Sequence, residues 1–441
     1  MDETNHVTNT LDVPSVFILE EHCCFDVKYR DFIRSLDVGF CETKYEGVPK
    51  ILGINGNSLE SSYYIGADWL SEEHNRAVIV TPKMPKMDFV EMYMCALKFE
   101  SAADYFSKFY GIDFDRKPIE TDALSNQLTP LLIIHFLAIL RRLSKRGLKR
   151  DYVIREDNLK SKVKGKIRVS QNIRLNDINK RNDRIYCQYQ EYTVDNPENR
   201  LLKKALLFSQ RYIHRLNKHN SYNDIRSVTN SLLSLFNDVS EEIKGYEVNR
   251  VASNKLFKEY KEAIRIAKMI LRQFNFSISK TGIEPKTIPV FWIDMSRLYE
   301  VYVYTKLYES YDDKIKFQVP GYRRTAVDFL KTDENVIIDT KYKPKYGGSN
   351  GGIIEDVRQI SAYARDKKIL KALGADQSLV PACLIIYPEK MIDNEDKEED
   401  EGADVCEELD KFTPDKSILS QATQINGYTK FYKLSVRLPK I

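Results

Sequence analysis

The chain contains the stretch Ala326-Val327-Asp328-Phe329-Leu330 and, a few residues later, the stretch Val336-Ile337-Ile338-Asp339-Thr340-Lys341. Each apolar run predicts a strand, and a turn between the two strands would place them side by side. This pairing carries Asp328 and Asp339 to one edge of a sheet, and Lys341 lies on the same face as Asp339 because side chains alternate along a strand. We therefore expect two carboxylates and one ammonium group to converge at this edge.

These residue types indicate a metal-dependent centre for phosphodiester hydrolysis. Carboxylate oxygens suit Mg²⁺, which keeps some of its waters and binds substrate phosphate, while a lysine can orient or deprotonate the attacking water. The opposing interpretation is that hairpins often end in Asp and that an Asp-Thr-Lys tripeptide arises by chance. The run Val336-Ile337-Ile338 favours the functional interpretation, because charged groups at the end of a buried strand are hard to explain as core.

Composition and charge describe the kind of protein that carries this centre. A length of 441 residues gives room for two or three domains, and 42% hydrophobic with 30% charged residues is typical of soluble globular proteins. Residues 141–184 contain sixteen Lys or Arg against five Asp or Glu, whereas residues 389–410 contain twelve acidic residues against two lysines. The basic region could hold phosphates through counterion release or could form solvated helix faces; the acidic stretch is interpreted as a surface loop.

Cysteine usage and hydropathy predict a cytoplasmic protein that does not enter a membrane. The seven cysteines are scattered and odd in number, which favours a reducing compartment over a zinc or iron–sulfur site. The first residues are polar and acidic, unlike an export signal. The longest apolar run, Leu131 to Leu140, is interrupted by His135 and is too short to span a bilayer. We interpret His135 as a packed core or interface residue.

Patterns along the chain predict a multidomain α/β protein with three parts. Residues 1–115 contain short apolar runs separated by Gly/Asn turns and predict a β-rich module. Residues 116–284, with the basic region, show helical periodicity and predict a mainly helical middle domain. The Gly282 to Lys286 segment breaks this pattern, so residues 285–441 are expected to form a third domain with a mixed sheet flanked by helices.

The third domain has a characteristic order of elements. A helix carrying Glu300 comes first, the strands of Asp328 and Asp339 follow, and a later helix places Gln359 and Tyr363 one turn apart on a shared face. Glu300 has two interpretations: an exposed glutamate paired with Arg297 three residues earlier, or a third acidic group supplied to the metal site.

This order resembles the PD-(D/E)XK nuclease superfamily, its RecB-like branch especially. The chain is also similar to the McrC family, the nuclease subunits of McrBC modification-dependent restriction systems. The similarity covers roughly residues 60 to 441 and is weak at first. It is carried most clearly by Asp294-Met295-Ser296-Arg297-Leu298-Tyr299-Glu300, Asp339-Thr340-Lys341-Tyr342-Lys343, Asp356-Val357-Arg358-Gln359-Ile360-Ser361-Ala362-Tyr363-Ala364 and Glu198-Asn199-Arg200-Leu201-Leu202. Val327 stands where the superfamily often has proline, a residue that shapes the strand without binding metal.

The resemblance implies roles for the matching residues. Asp328 and Asp339 would hold Mg²⁺ together with the backbone carbonyl of Thr340, and Glu300 would complete the metal site. Lys341 would position the water and offset charge on the pentacovalent phosphate.

Further residues have supporting roles under the same resemblance. Gln359 and Tyr363 would steady the site or touch the DNA backbone. Lys343, Arg323 and Arg324 are candidates for phosphate contacts, although each can equally be a plain surface charge.

Nucleotide binding is not expected of this chain, because Lys164-Gly165-Lys166 lacks the upstream glycine and the hydroxyl residue of a phosphate-binding loop. The resemblance implies that a separate McrB-like AAA+ GTPase hexamer recognises and translocates modified double-stranded DNA, while this subunit docks on the ring, stimulates GTP hydrolysis and cuts. Two alternatives stay open at this point: a stand-alone RecB-like DNA nuclease, and a non-catalytic DNA-binding or assembly subunit.

Overall fold

The computed structural model describes residues 13–36, 38, 50–84, 87–96, 110–113, 116–121, 125–215, 223–243, 258–279, 287–322, 325–343, 351–374, 380–389, 412–413 and 416–440. Its strands are β1 Val16–Glu20, β2 Tyr64–Ser71, β3 Arg76–Thr81, β4 Tyr110–Asp113, β5 Ile119–Glu120, β6 Asp151–Lys160, β7 Lys166–Ile167, β8 Arg184–Thr193, β9 Thr287–Ile288, β10 Val290–Asp294, β11 Ile315–Pro320, β12 Ala326–Lys331, β13 Val336–Thr340, β14 Ala382–Pro388, β15 Thr423–Gln424 and β16 Phe431–Val436.

The α-helices of the described residues are α1 Val27–Ser35, α2 Phe89–Ala96, α3 Ser125–Ser144, α4 Val169–Asn172, α5 Pro197–Arg215, α6 Asn223–Ser234, α7 Lys258–Ser279, α8 Met295–Tyr311, α9 Gly351–Tyr363 and α10 Lys367–Leu373. The expected mixed α/β class is confirmed. None of these helices is long and apolar enough to cross a membrane.

The chain forms two compact units. The first combines residues 1–127 with residues 284–441, and the second consists of residues 128–283. The amino-terminal and carboxyl-terminal thirds of the sequence therefore belong to one compact body.

A five-stranded sheet explains why the two ends of the chain share a unit. Its order is β1-β3-β2-β10-β4, with β1 parallel to β3 and the remaining neighbours antiparallel. Strand β10 opens the segment that the sequence assigns to the last domain, yet it pairs with β2 and β4. The Trp292 ring packs edge-on against Tyr64, with 5.9 Å between the ring centroids. A strand from the far end of the chain thus completes the amino-terminal sheet.

A six-stranded sheet carries two of the predicted catalytic residues, Asp328 and Asp339. Its order is β11-β12-β13-β14-β16-β15, in which β13, β14 and β16 are parallel to one another and the outer pairs are antiparallel. The strands predicted at Asp328 and Asp339 are both present. One core joins β13, β14 and α9 through the fully buried Ile337, Ile385 and Ile360, respectively. Burial of each such aliphatic side chain contributes about 2 kcal/mol to the free energy of unfolding.

Aromatic stacking fixes helix α8 against this sheet. The Tyr304 ring stacks on Phe317 of β11, with centroids 4.6 Å apart, and on Phe329 of β12, with centroids 6.1 Å apart. Such large buried rings contribute apolar area and a preferred geometry together. Because Tyr304 lies one turn after Glu300, this packing also sets where Glu300 meets the sheet.

The second unit departs from the helical expectation in its basic region. Residues 151–193 contain a three-stranded antiparallel sheet of order β6-β8-β7, packed within a unit that also contains α3, α5, α6 and α7. Three adjacent charged residues, Arg155, Glu156 and Asp157, interrupt the strand pattern of β6, and they interact with β8: Arg155 Nε lies 3.2 Å from Glu191, and the Tyr189 hydroxyl donates to Asp157 at 2.6 Å. Cross-strand ion pairs and hydrogen bonds of this kind stabilise a sheet. His135 is buried and lies 3.0 Å from Glu262, as expected for a packed residue.

Gly66 provides a test of the five-stranded sheet. Its φ is +143°, and a Cβ placed there would lie 2.1 Å from the backbone oxygen of Phe291 in β10. We expect Gly66→Ala to lower the free energy of unfolding of the first unit by about 2 to 4 kcal/mol, because it combines overpacking with backbone strain.

The matched control is Gly374→Ala, at a position with φ +77° and no atom within 4 Å of the added Cβ. Strain alone should cost about 1 kcal/mol there. Urea unfolding followed by fluorescence measures both variants, and equal losses would contradict the close approach of β2 and β10.

Candidate active site at the end of two neighbouring strands

The hairpin of β12 and β13 brings Asp328 and Asp339 together. Phe329 pairs with Ile338 and Leu330 with Ile337, so the same register sets Asp328 opposite Asp339. Asp328 Oδ2 accepts hydrogen bonds from the backbone N–H of Thr340, at 2.8 Å, and from its hydroxyl, at 2.7 Å. The predicted convergence of the two carboxylates is therefore present, and Thr340 links them.

Lys341 occupies the position expected from the alternation of side chains. Its Nζ lies 2.5 Å from Asp339 Oδ2 and donates to Gln359 Oε1 at 2.9 Å. Burial lowers the pKa of this lysine, but the charges of Asp339, Asp356 and Asp328 outweigh the burial and raise it on balance. Lys341 is therefore an ammonium group at neutral pH, suited to binding negative charge rather than to removing a proton.

Glu300 belongs to the same cluster and is not an exposed glutamate paired with Arg297. The side-chain amide of Gln318 in β11 donates a short hydrogen bond to Glu300, while Arg297 Nε lies 3.4 Å from Asp294. Helix α8 therefore directs Glu300 toward the sheet, beside the strand that holds Asp328.

The three carboxyl groups resist ionisation. Burial, followed by the charge of Asp328, raises the pKa of Glu300 to about 8. Burial and the same charge raise the pKa of Asp339 to about 7, although Lys341 opposes the shift. Burial also raises the pKa of Asp328, against the hydrogen bonds from Thr340. Close acidic groups shielded from water form an electronegative centre that a cation would stabilise.

Two residues at this centre have no role predicted from the sequence. Gln318 stands opposite Asp328 in the β11–β12 register and has φ +50°, a backbone conformation that is uncommon outside glycine. Asp356 of α9 is 4% exposed and lies 4.0 Å from Lys341 Nζ and 3.0 Å from Lys343 Nζ. Only the strand pairing and the helix packing place either side chain here.

The remaining predicted residues lie around the centre. The Gln359 side-chain amide donates to the Tyr363 hydroxyl at 3.3 Å, so the two share a face of α9 as expected. The exposed Lys343 pairs with Asp356. Arg323, Arg324 and residues 390–410 of the acidic stretch lie outside the described residues.

The oxygen atoms at this centre determine whether it could hold a metal ion. Within the described part of the chain, no three His, Cys, Asp or Glu side chains stand close enough together to ligate one ion by themselves. The oxygens of Asp328, Asp339 and the Thr340 carbonyl nevertheless fit Mg²⁺, which retains several waters and takes few protein ligands. Among the described residues, Asp339 Oδ2 is buried without a well-oriented hydrogen bond.

Fold and site together define a mixed α/β protein whose six-stranded sheet ends in a carboxylate–lysine cluster. The particular family follows from its sequence. Residues 64–388 match the model of the family described as "McrBC 5-methylcytosine restriction system component". The match covers most of the chain, so the chain belongs to this family, and the similarity to McrC is confirmed.

Solved structures give weaker similarities. A half-complex from a tetradecameric assembly of Thermococcus gammatolerans McrB AAA+ hexamers with bound McrC aligns at 15% identity, over 96% of this chain and 94% of that chain, with a TM-score of 0.35. The cryo-EM structure of the T. gammatolerans McrBC complex aligns at 16% identity, over 67% and 88%, with a TM-score of 0.29. Both TM-scores are low, so the membership depends on the family model. No curated protein gives a significant match.

The raised pKa values predict a pH dependence of stability. Glu300 shifts from an ordinary value of 4.5 to about 8 in the folded chain. The folded state therefore binds more protons than the unfolded state between these values, and the free energy of unfolding should fall as pH rises through this window. Urea unfolding at several pH values, with a chelator present, measures the slope.

Glu300→Gln should flatten this slope, because it removes the carboxyl group whose pKa is raised most at this centre. The control is Glu73→Gln, at an exposed turn position between β2 and β3, which should leave the slope unchanged. A slope that persists fully in Glu300→Gln would show that Glu300 is not the buried acid responsible.

Proposed function

We propose that this chain is the Mg²⁺-dependent endonuclease subunit of a GTP-driven, modification-dependent restriction complex, with a nuclease region of the PD-(D/E)XK type in residues 285–441. The observation that carries the proposal is the convergence of Asp328, Asp339, Glu300 and Lys341 at one sheet edge in a chain of the McrBC family. The order of these elements, with α8 followed by β11, β12, β13 and α9, supports the nuclease type.

Asp328, Asp339 and the Thr340 carbonyl would hold Mg²⁺, with Glu300 completing the site through water or directly. The bound ion would supply Lewis-acid polarisation of the phosphate and a more acidic water. Cation binding would also favour the ionised forms of the carboxyl groups, whose pKa values burial raises.

The residues of the chain itself have distinct tasks in this proposal. The Lys341 ammonium donates to a non-bridging phosphate oxygen and offsets the charge that develops as the water oxygen bonds to phosphorus and the leaving oxygen departs. Gln359 holds the lysine at 2.9 Å, which limits its rotation before the substrate binds. Lys343, exposed and paired with Asp356, is available to the adjacent DNA phosphate.

Substitution of the central residues tests the nuclease assignment. Asp339→Ala and Lys341→Ala should each abolish Mg²⁺-dependent cleavage of double-stranded DNA, because one removes a metal ligand and the other a charge that stabilises the transition state. We expect losses of about a hundredfold or more. Circular dichroism and the unfolding midpoint establish that the variants remain folded.

Matched controls come from exposed positions of the same region. Asp313→Ala and Lys371→Ala remove one acid and one lysine from the surface and should leave cleavage unchanged. Retained cutting by a purified Asp339→Ala or Lys341→Ala protein would refute the assignment, and loss of cutting in the controls would make the effect nonspecific.

We further propose that an McrB-like AAA+ GTPase hexamer is the partner that brings modified double-stranded DNA to this subunit. Support within the chain comes from the β6-β8-β7 sheet of the second unit, where Tyr152, Ile154 and Tyr192 are 66%, 61% and 56% exposed. The Tyr152 and Tyr192 rings lie 5.1 Å apart. Adjacent exposed apolar side chains typically mark a protein interaction surface.

The partner proposal predicts a dependence on GTP. The chain alone should cut poorly, and cleavage of modified DNA should rise when the GTPase ring and GTP are added. Tyr152→Ser combined with Tyr192→Ser should reduce both ring binding and the stimulation of GTP hydrolysis, because the loss of an aromatic interface anchor costs about 2 kcal/mol or more.

The control for this surface is Val380→Ser, which removes a side chain that is 63% exposed elsewhere on the chain. It should bind the ring as the unmodified chain does. Strong, nucleotide-independent cleavage by the single chain would favour a stand-alone nuclease, and the absence of Mg²⁺-dependent cleavage under all conditions would favour a non-catalytic assembly subunit.

A further inference from the structure

Lys341 lies where the chain leaves the six-stranded sheet, so its backbone pairs with β14 only. Strand β13 ends at Thr340, and the Lys341 N–H makes one more sheet-like hydrogen bond, to the Ile386 carbonyl at 2.8 Å. The Lys343 N–H then turns back to the Lys341 carbonyl, also at 2.8 Å. The position of Lys341 therefore depends on whatever anchors the next residue, Tyr342.

Tyr342 is anchored from several directions. Its hydroxyl donates to Glu21 Oε2 at 3.2 Å, and Lys83 Nζ donates to its backbone carbonyl at 2.9 Å. Lys83 Nζ also lies 3.9 Å from the centre of the Tyr342 ring, a cation–π distance. On another side, the Tyr342 ring lies 5.7 Å from that of Tyr299, the neighbour of Glu300 in α8.

Glu21 and Lys83 come from the far end of the sequence and reach this point through parallel strands. Glu20 of β1 pairs with Thr81 of β3, so both strands end at the same edge of the five-stranded sheet. The backbone N–H of Lys83 donates to Glu21 Oε2 at 3.0 Å. The end of the five-stranded sheet thus presents an acid and a base, already joined to each other, to Tyr342.

This arrangement is costly as a purely structural contact. Glu21 is 2% exposed, and its Oε1 has no hydrogen-bond partner among the described residues. Burial raises the pKa of Glu21 to about 7, against the opposing charge of Lys83. An apolar side chain would usually stabilise such a location as well or better, so the buried Glu21 carboxyl group is more informative about geometry than about stability.

We propose that Glu21 and Lys83 are positioning residues for the candidate active site. They hold Tyr342 by its hydroxyl, its carbonyl and its ring, and through Tyr342 they fix the backbone that carries Lys341 beside Asp339. The inference rests on the proposed nuclease function of that centre. It also gives the amino-terminal sheet a task in the chemistry that the sequence does not indicate.

Hydrogen–deuterium exchange of the full-length chain tests the anchor without reference to activity. Glu21→Gln and Tyr342→Phe should each speed exchange in the peptide covering residues 336–343, because the Lys341 amide loses part of its support. Tyr342→Phe keeps the ring and removes only the hydroxyl. Glu73→Gln, which removes one exposed acid from the same sheet, should leave that peptide unchanged.

Cleavage kinetics under the conditions that support cutting by the unmodified chain provide the second readout. Both single variants should lower kcat about tenfold to a hundredfold, the effect expected when a catalytic group shifts by about 1 Å. KM for DNA should stay the same, since no residue that binds DNA has changed. The double variant should lose no more than Tyr342→Phe alone, because without the Tyr342 hydroxyl residue 21 no longer holds Tyr342 through a hydrogen bond.

Two results would overturn the proposal. One is unchanged hydrogen–deuterium exchange and unchanged kcat in both variants. The other is faster exchange over the whole first unit with a lowered unfolding midpoint, which would mean a general structural role.

The Asp339→Ala variant distinguishes failure of the positioning role from failure of the proposed nuclease function. If the Asp339→Ala protein still cleaves DNA, the proposed nuclease function of this centre fails. If Asp339→Ala is inactive while Glu21→Gln and Tyr342→Phe keep full kcat and normal exchange, only the positioning role fails.

Discussion

The burial of three carboxyl groups at one edge of a sheet is the constraint on which the rest of the site depends. Each loses hydration, and their mutual repulsion raises the pKa values of Glu300 and Asp339 further. The neighbouring groups counter this cost in different ways: Thr340 donates two hydrogen bonds to Asp328, Gln318 donates to Glu300, and Lys341 lies against Asp339. The polar groups around the acids are therefore part of one electrostatic arrangement.

Local patterns predict much of this arrangement from the sequence. Strand alternation places Lys341 on the face of Asp339, and helical spacing places Gln359 next to Tyr363; both contacts are present. These predictions succeed because each depends on residues a few positions apart, where backbone geometry alone sets the direction of a side chain. The prediction of β13 from the apolar run Val336-Ile337-Ile338 succeeds for a similar reason, since buried strands of a parallel sheet are continuous in hydrophobicity.

Contacts between distant segments are the part that the sequence does not predict. Nothing local in the sequence of β10 indicates that it pairs with β2, more than two hundred residues earlier. Gln318 and Asp356 reach the centre only through strand register and helix packing. The β6-β8-β7 sheet is missed for a different reason: the adjacent charged residues Arg155, Glu156 and Asp157 interrupt the hydropathy signal of β6, and their partners lie on β8.

The pairing of β10 has a further consequence for how the two sheets of the first unit relate. Strand β10 ends at Asp294, whose carboxylate caps helix α8 by accepting from the Arg297 N–H at 3.0 Å. The helix that carries Glu300 therefore starts directly from the five-stranded sheet, and Glu21 and Lys83 leave the same sheet to hold Tyr342. Helix α8 thus begins at the five-stranded sheet and packs through Tyr304 on the six-stranded sheet. Lys341 directly follows β13, and its neighbour Tyr342 is held by residues that follow β1 and β3. Both sheets of the first unit therefore contribute contacts to the segments that carry Glu300 and Lys341.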